Sequence, residues 1–138
     1  MLRRVLAVSA GVIGGSAVIW LLEMFGYMMF PGPEGMDTAD PEAMRQLMKE
    51  VPVAAFVVIL LAYAAGSFAG GWIAVAIGEK MKDAMITGVV LLGFGIVNLM
   101  LVPHPLWFTL ISVLLYLPFA YLGGKAKWGR RMIRNNKL

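Results

Sequence analysis

The chain has 138 residues, of which 60% are hydrophobic and 14% are charged, and its mean hydropathy is +0.79. Ordinary soluble domains carry about 25% charged residues, so this composition excludes them and predicts a polytopic membrane protein. Cysteine is absent, which excludes disulfides, thiolate catalysis and cysteine-ligated metal centres.

The N-terminal segment begins like a secretory signal, with Arg3 and Arg4 followed by an apolar run. The apolar core of a signal is about 7–15 residues long. Here the run continues from Val5 to Phe30, and its only charged residue is Glu23. The segment therefore predicts an uncleaved first membrane helix that carries one carboxylate.

A helix needs about 20 apolar residues to cross a bilayer. Four segments meet this requirement, and they cover residues 5–29, 52–77, 84–102 and 106–124. The sequence thus predicts an all-α fold, in which a single membrane domain forms a four-transmembrane-helix bundle. A basic tail, residues 125–138, follows the last span.

Lysine and arginine are distributed unevenly between the two sides of this predicted bundle. Ten of them precede helix 1, join helices 2 and 3 or follow helix 4, whereas only Arg45 and Lys49 lie in the first loop between spans. Basic loops stay in the cytoplasm, so this bias predicts that both termini are cytoplasmic and that the first loop is extracytoplasmic.

The first loop contains a second helical pattern, at residues 41–50. Asp40 is suited to cap its N-terminus and Pro41 to its first position. Met44, Leu47 and Met48 share one face at helical spacing. We expect an amphipathic helix on the outer membrane surface, preceded by a rigid turn at "FPGPEG".

Small residues recur every fourth position on two of the predicted spans. Close backbone approach through such residues joins helices in lipid, where the hydrophobic effect contributes little. The pattern predicts tight helix packing, within the bundle or between subunits. The residues are Gly11 and Gly15 on helix 1, and Ala62, Gly66, Gly70, Ala74 and Gly78 on helix 2.

Polar side chains are predicted to gather in the outer half of the bundle. At 1.5 Å per residue, Glu23 lies about 27 Å from Val5, near the outer boundary of a core about 30 Å thick. The inner half is predicted to hold almost no comparable group. The candidates for contact with a ligand or a proton are Glu23, Tyr27, Asn98, His104 and Thr109.

Each of these candidates also has a structural interpretation. For Glu23 the favoured explanation is a hydrogen bond to Asn98, Tyr27 or a neighbouring helix. For His104 it is a position in the "VPHPLW" turn. Together Glu23 and His104 form an acid–base pair only if both are buried. Eleven methionines, many on the outer side, are compatible with Cu(I) but are better explained as apolar filler. No metal, cofactor or catalytic residue is predicted.

The basic tail is predicted to anchor the topology and to contact anionic lipid headgroups. A nucleic-acid partner is disfavoured because no recognisable fold or aromatic pattern accompanies the charge. The predicted lipid contacts are Lys125, Lys127, Arg130, Arg131, Arg134 and Lys137.

Two resemblances to known families accompany these patterns. A carboxylate in the first of four helices, Glu23, resembles the small multidrug-resistance exporters, in which such a residue binds substrate and protons. The order "FPGPEGMD", "GSFAGGWIA" and "VPHPLWF" resembles an uncharacterised family of small bacterial inner-membrane proteins. That resemblance implies four helices and a bacterial inner membrane, and it implies no activity.

The sequence therefore favours a binding, structural or accessory protein of the inner membrane that forms a homo-oligomer, since thin bundles are commonly symmetric oligomers. The first alternative is a transporter subunit that depends on Glu23. The second is a membrane enzyme that uses Glu23 and His104, although an enzyme is disfavoured.

Overall fold

The computed structural model describes residues 1–32 and 39–135, which form an all-helical chain. Predicted features at the remaining positions, including Lys137 and the second half of the "FPGPEG" turn, lie outside the described residues. The helices are α1 (Leu2–Met29), α2 (Pro41–Glu50), α3 (Val53–Gly78), α4 (Met81–Leu101) and α5 (Leu106–Asn135).

Four of these helices, α1, α3, α4 and α5, are long and apolar enough to cross a membrane. Their boundaries fall within three residues of the predicted spans, except at the end of α5. The coarse prediction of an all-helical chain with four helices able to cross a membrane is therefore confirmed.

The basic segment after the fourth span differs from its description as a separate tail. It continues α5 as helix as far as Asn135. Residues such as Lys, Arg, Ala and Met favour helix, and Arg131 pairs with Glu79 at 2.8 Å, which holds the extension against the end of α3. The last described cations are consequently arranged on a helix rather than on a loose tail.

Helix α3 lies at the centre of the bundle and packs against α1, α4 and α5. On the α1 side, a Cβ added at Gly11 would lie 2.7 Å from the carbonyl oxygen of Gly70, and one at Gly15 would lie 2.8 Å from that of Gly66. Both distances are shorter than real Cβ contacts. The small-residue positions of α1 and α3 thus lie face to face at backbone contact.

A second close approach joins α3 to α5, and the predicted stripe did not include it. A Cβ at Gly71 would collide with the backbone of Ala120, and one at Gly123 would collide with the backbone of Phe68. Glycine is required at both positions because the two helix backbones touch there.

Ion pairs define one end of the bundle, which we call the Glu79 end. Here Arg3 pairs with Glu79 at 2.6 Å, and Arg4 pairs with Asp83 at 3.2 Å. The start of α1, the end of α3, the start of α4 and the end of α5 meet at this point. The opposite end, which we call the His104 end, contains the α4–α5 turn and the start of α3.

Helix α2 is capped as its sequence predicts. The Asp40 side chain accepts a hydrogen bond of 3.0 Å from the backbone N–H of Glu42, and Pro41 occupies the first turn. Its Met48 packs against the apolar cluster of the bundle. Because Val51 ends the helix in an extended conformation just before Pro52, the chain turns directly into α3.

Candidate functional site

A partly enclosed cavity of about 190 Å³ lies at the His104 end, beneath α2. Its walls come from α1, α3, the end of α4 and the turn before α5, and Leu47 and Met48 of α2 cover it. A buried water needs only about 10–15 Å³ of such volume, so the cavity has room for a ligand of several heavy atoms. Most of the lining is aliphatic or aromatic, with Glu23, Tyr63, Asn98 and His104 among its polar members.

Tyr63 is the residue that connects the polar groups of this cavity. The Nδ2 of Asn98 donates a hydrogen bond to the Tyr63 hydroxyl oxygen at 3.2 Å. The Tyr63 hydroxyl is also close enough to the Glu23 carboxyl group to interact with it. A hydroxyl that accepts one hydrogen bond can donate another, so Tyr63 can donate to Glu23 while it accepts from Asn98. Residues of three helices thereby gather around one carboxylate.

Among the described residues, no cation balances the carboxylate of Glu23. None of the described residues that line the cavity is a lysine or an arginine. The ion pairs found in the described part of the chain involve other acids, namely Glu42, Glu79 and Asp83. The cavity therefore offers a hydrogen-bond-accepting, acidic group in apolar surroundings.

His104 adds a second acceptor to the cavity wall. Its Nδ1 lies 2.7 Å from the carbonyl oxygen of Val102, and since a carbonyl only accepts, Nδ1 carries the proton. The ring stacks on Phe108 with centroids 4.8 Å apart. Burial lowers the pKa of His104 below its usual 6.5, so the ring is neutral at pH 7 and its Nε2 is free to accept a hydrogen bond.

A second cavity, also of about 190 Å³, adjoins the first and shares Glu23, Tyr63 and Asn98 with it. Trp20 and Phe94 belong to its lining, and each is at least 60% exposed. This cavity therefore opens on the lateral surface of the bundle, between apolar helices. Glu23, Tyr63 and Asn98 thus form the wall that this lateral cavity shares with the first cavity.

The structure brings together four of the five predicted candidates. Glu23, Tyr27, Asn98 and His104 line the first cavity. Thr109 does not: its hydroxyl donates to the carbonyl oxygen of Pro105 at 3.3 Å, within its own first turn.

Sequence reasoning missed Tyr63 and the buried Tyr116, which stacks on it with ring centroids 5.4 Å apart. A signal for Tyr63 was available. Its hydroxyl lies about 15 Å along an otherwise apolar span, where a polar group requires a partner.

The half of the bundle that was predicted to be inner, at the Glu79 end, contains a buried polar group, so the expectation that it holds almost none is wrong. Asp83 is only 1% exposed, and a Cβ at Gly78 would collide with its carboxylate. Neither carboxylate oxygen has a hydrogen-bond partner among the described residues, so the ion pair with Arg4 at 3.2 Å supplies its compensation. The signal was the position of Asp83 in the first turn of α4, where a carboxylate is favoured.

Glu79 is the second acid at this end, and its backbone is unusual. It ends α3 with a φ of 61° and a ψ of 25°, the left-handed conformation that normally favours glycine. Its carboxylate pairs with both Arg131 and Arg3. These two guanidinium groups hold the pKa of Glu79 below its usual value. The ion pairs explain why glutamate occupies a glycine-like position.

Comparisons with known proteins assign no family to this chain. No family model matches it, and searches of curated proteins and of solved structures find no match. Within the described residues, no group of three or more His, Asp or Glu side chains is placed to hold a metal ion. The resemblances inferred from the sequence therefore stay predictions, and function has to be argued from the cavities.

Proposed function

We propose that this chain is a membrane binding protein for small amphipathic molecules with a positively charged head. The observation that supports the proposal is the unbalanced carboxylate of Glu23, oriented by Tyr63 and Asn98 in a cavity lined mainly by apolar groups. A cation with N–H donors complements this arrangement, because it supplies the missing charge and donates to both Glu23 and His104.

The lateral cavity suggests where the apolar part of such a molecule lies. When the charged head of such a molecule lies beside Glu23, its apolar tail can extend past the shared wall into the lateral cavity. There it lies near Trp20 and Phe94, which are exposed on the side of the bundle. The ligand then enters from the bilayer rather than from water. Helix α2, with Leu47 and Met48 over the first cavity, covers the head.

Transport and catalysis are weaker proposals. A transport path would have to continue from Glu23 towards the Glu79 end, but the contacts of Gly15 with Gly66 and of Gly11 with Gly70 close the α1–α3 interface along that direction. For catalysis, His104 and Glu23 line the same cavity, but no described group acts as a nucleophile beside them. Binding requires only the groups that are present.

The proposed membrane location and orientation rest on the uneven distribution of lysine and arginine along the chain. We propose a multi-pass protein of the bacterial inner membrane with the Glu79 end in the cytoplasm and α2 on the outer surface. We further propose a homo-oligomer, since large apolar side chains such as Ile13 and Leu114 remain 70% exposed on the spans, where lipid or a second copy must cover them.

Native mass spectrometry of the full chain in nonionic detergent tests the binding proposal, with dodecylammonium as the probe and dodecanol as its uncharged equivalent. We expect dodecylammonium to bind more tightly than dodecanol. Glu23→Gln should weaken dodecylammonium binding by about tenfold, the size of one charge-assisted hydrogen bond. The same spectra report the oligomeric state.

Glu50→Gln is the matched control, because it removes the same charge from an exposed residue of α2 that does not line the first cavity. Equal binding by the Glu23→Gln and Glu50→Gln variants, or equal affinity for dodecanol, would refute the proposal. Ser16→Leu tests the lateral cavity separately: it should weaken binding of dodecylammonium but leave butylammonium unchanged, because only the longer chain reaches Ser16.

A further inference from the structure

Four cations lie along one side of the last turns of α5. Lys127, Arg130, Arg131 and Arg134 follow a spacing of i, i+3, i+4 and i+7, which places them on a single helix face. The same four line a cavity of about 340 Å³ between α5 and the end of α3. We call this cavity the basic groove.

Trp72 of α3 fixes two of these cations. The guanidinium carbon of Arg130 lies 4.8 Å from the Trp72 ring centroid, and the Nζ of Lys127 lies 5.5 Å from it. Both are cation–π contacts, which orient a cation but leave its charge uncompensated. The two charges are thus held in place and remain available to an anion.

The basic groove contains far more positive than negative charge. Glu79 is its one described acid, and it already pairs with Arg131 and Arg3. No ion pair in the described part of the chain involves Lys127, Arg130 or Arg134. Like charges held this close repel one another, so an anion that bridges them lowers the free energy of the arrangement.

The walls of the basic groove combine this charge with apolar surface. Val75 and Ala76 line it between Trp72 and Glu79. Guanidinium groups bind phosphate oxygens through paired N–H donors, and lysine adds a point charge. We propose that the basic groove is a binding site for a phosphate monoester or diester, and that the phosphate belongs to an anionic membrane lipid whose glycerol and first methylenes contact Val75 and Ala76.

The proposed site assigns lipid binding to particular residues rather than to the basic segment as a whole. Lys125 is exposed and does not line the groove, although it belongs to the same helix. If diffuse attraction to a charged surface governed binding, Lys125 would count as much as Arg130. If the groove governs it, the two residues are not equivalent.

The test uses the full chain in nonionic detergent, with lipid binding measured by native mass spectrometry. The probes are dioleoyl phosphatidylglycerol and dioleoyl phosphatidylcholine, with glycerol 3-phosphate as a soluble competitor. We expect phosphatidylglycerol to bind in preference to phosphatidylcholine. The double variant Arg130→Gln/Arg134→Gln should weaken phosphatidylglycerol binding by at least about tenfold.

The matched control is Lys82→Gln/Lys125→Gln, which removes two charges from exposed residues at the same end of the bundle. It should change the affinity less than about twofold, and Arg130→Lys/Arg134→Lys should retain most of it. Retained binding in the lysine variant shows that the positive charge, rather than arginine itself, is required. Thermal unfolding of all three double variants in detergent separates a loss of binding from a folding defect.

Competition by glycerol 3-phosphate identifies the source of the phosphate. If millimolar competitor does not displace the lipid, the groove is a lipid site; if it does, the phosphate site stands but serves soluble esters as well. Equal losses in the two glutamine variants, or no preference for phosphatidylglycerol over phosphatidylcholine, would overturn the proposal.

Discussion

The two ends of the bundle differ in how their carboxylates are compensated. At the Glu79 end, Glu79 and Asp83 pair with arginines, and the helices around them are in backbone contact. At the His104 end, Glu23 has a tyrosine neighbour but no cation among the residues around its cavity. The Glu79 end compensates its carboxylates with arginines of the same chain, whereas the His104 end keeps an unbalanced carboxylate beside its cavity.

This difference suggests that the carboxylates at the two ends have separate roles. The ion pairs of Glu79 and Asp83 hold four helix termini together without any ligand. Glu23 is a carboxylate whose compensation is left to a ligand, which is typical of a binding site. Changes to these ion pairs and along the glycine contacts should therefore affect folding, and changes around Glu23 should affect binding.

Gly70→Leu should produce the largest effect. A Cβ there would lie 2.8 Å from the carbonyl oxygen of Gly11, so α1 and α3 must separate. We expect the free energy of unfolding to fall by about 3 kcal/mol, or the variant to fail to accumulate in the membrane. Yield and thermal unfolding in detergent measure these two outcomes.

Gly93→Leu is the control for that change, since no atom lies within 4 Å of a Cβ at Gly93. It should be neutral or slightly stabilising because leucine favours helix more than glycine does. Equal destabilisation by the two substitutions would show that the α1–α3 contact does not determine stability.

Arg4→Gln should produce the next largest effect, and it should exceed that of Asp83→Asn. The first change leaves the buried Asp83 carboxylate without its counter-charge, whereas the second leaves Arg4, whose side chain is 51% exposed, free to turn to water. We expect Arg4→Gln to lower the free energy of unfolding by about 2 kcal/mol. This is less than for a fully buried ion pair, because the Arg4 side chain is half exposed.

The double variant Arg4→Gln/Asp83→Asn completes a cycle for this ion pair. It should be more stable than Arg4→Gln alone, because it removes the buried charge together with its partner. If Asp83→Asn proves at least as costly as Arg4→Gln, hydrogen bonding by Asp83, rather than ionic compensation, governs this end.

Tyr63→Phe tests the other end of the comparison. It removes the acceptor of the Asn98 amide and the neighbour of the Glu23 carboxyl group. We expect about 1 kcal/mol of lost stability and several-fold weaker dodecylammonium binding. Tyr27→Phe is the control, since Tyr27 lines the same cavity but is 72% exposed. Equal effects of the two substitutions would mean that Tyr63 does not orient Glu23.

The sequence predicted elements and faces better than it predicted pairs of side chains. Apolar length alone defines the spans, and the i, i+4 spacing of Gly66 and Gly70 places them on one helix face. Which partner lies opposite depends on how helices cross, so neither the contact of Gly123 with Phe68 nor the pair of Arg4 with Asp83 was foreseeable from spacing.

The candidate site shows the same limit. Glu23, Asn98 and His104 were identified because a polar residue is conspicuous near an apolar span. Tyr63 was missed because no charged residue of its own span draws attention to it, although its hydroxyl needs a partner at membrane depth. The lateral cavity had no sequence signal, since it is a gap between helices.

Acidification should produce the smallest effect, and at the Glu79 end it should act through Glu79 itself. Because Arg131 and Arg3 lower the pKa of Glu79, its ion pairs stabilise the fold fully above its unfolded value of about 4.5 and are lost as the pH falls through the lower folded value. The temperature of thermal unfolding in detergent should therefore fall slightly when the pH is lowered from 6 to 3. The Glu79→Gln variant should show a smaller fall, because it has no such pair to lose. A fall of equal size in both proteins would show that the ion pairs of Glu79 are not the acid-sensitive contact.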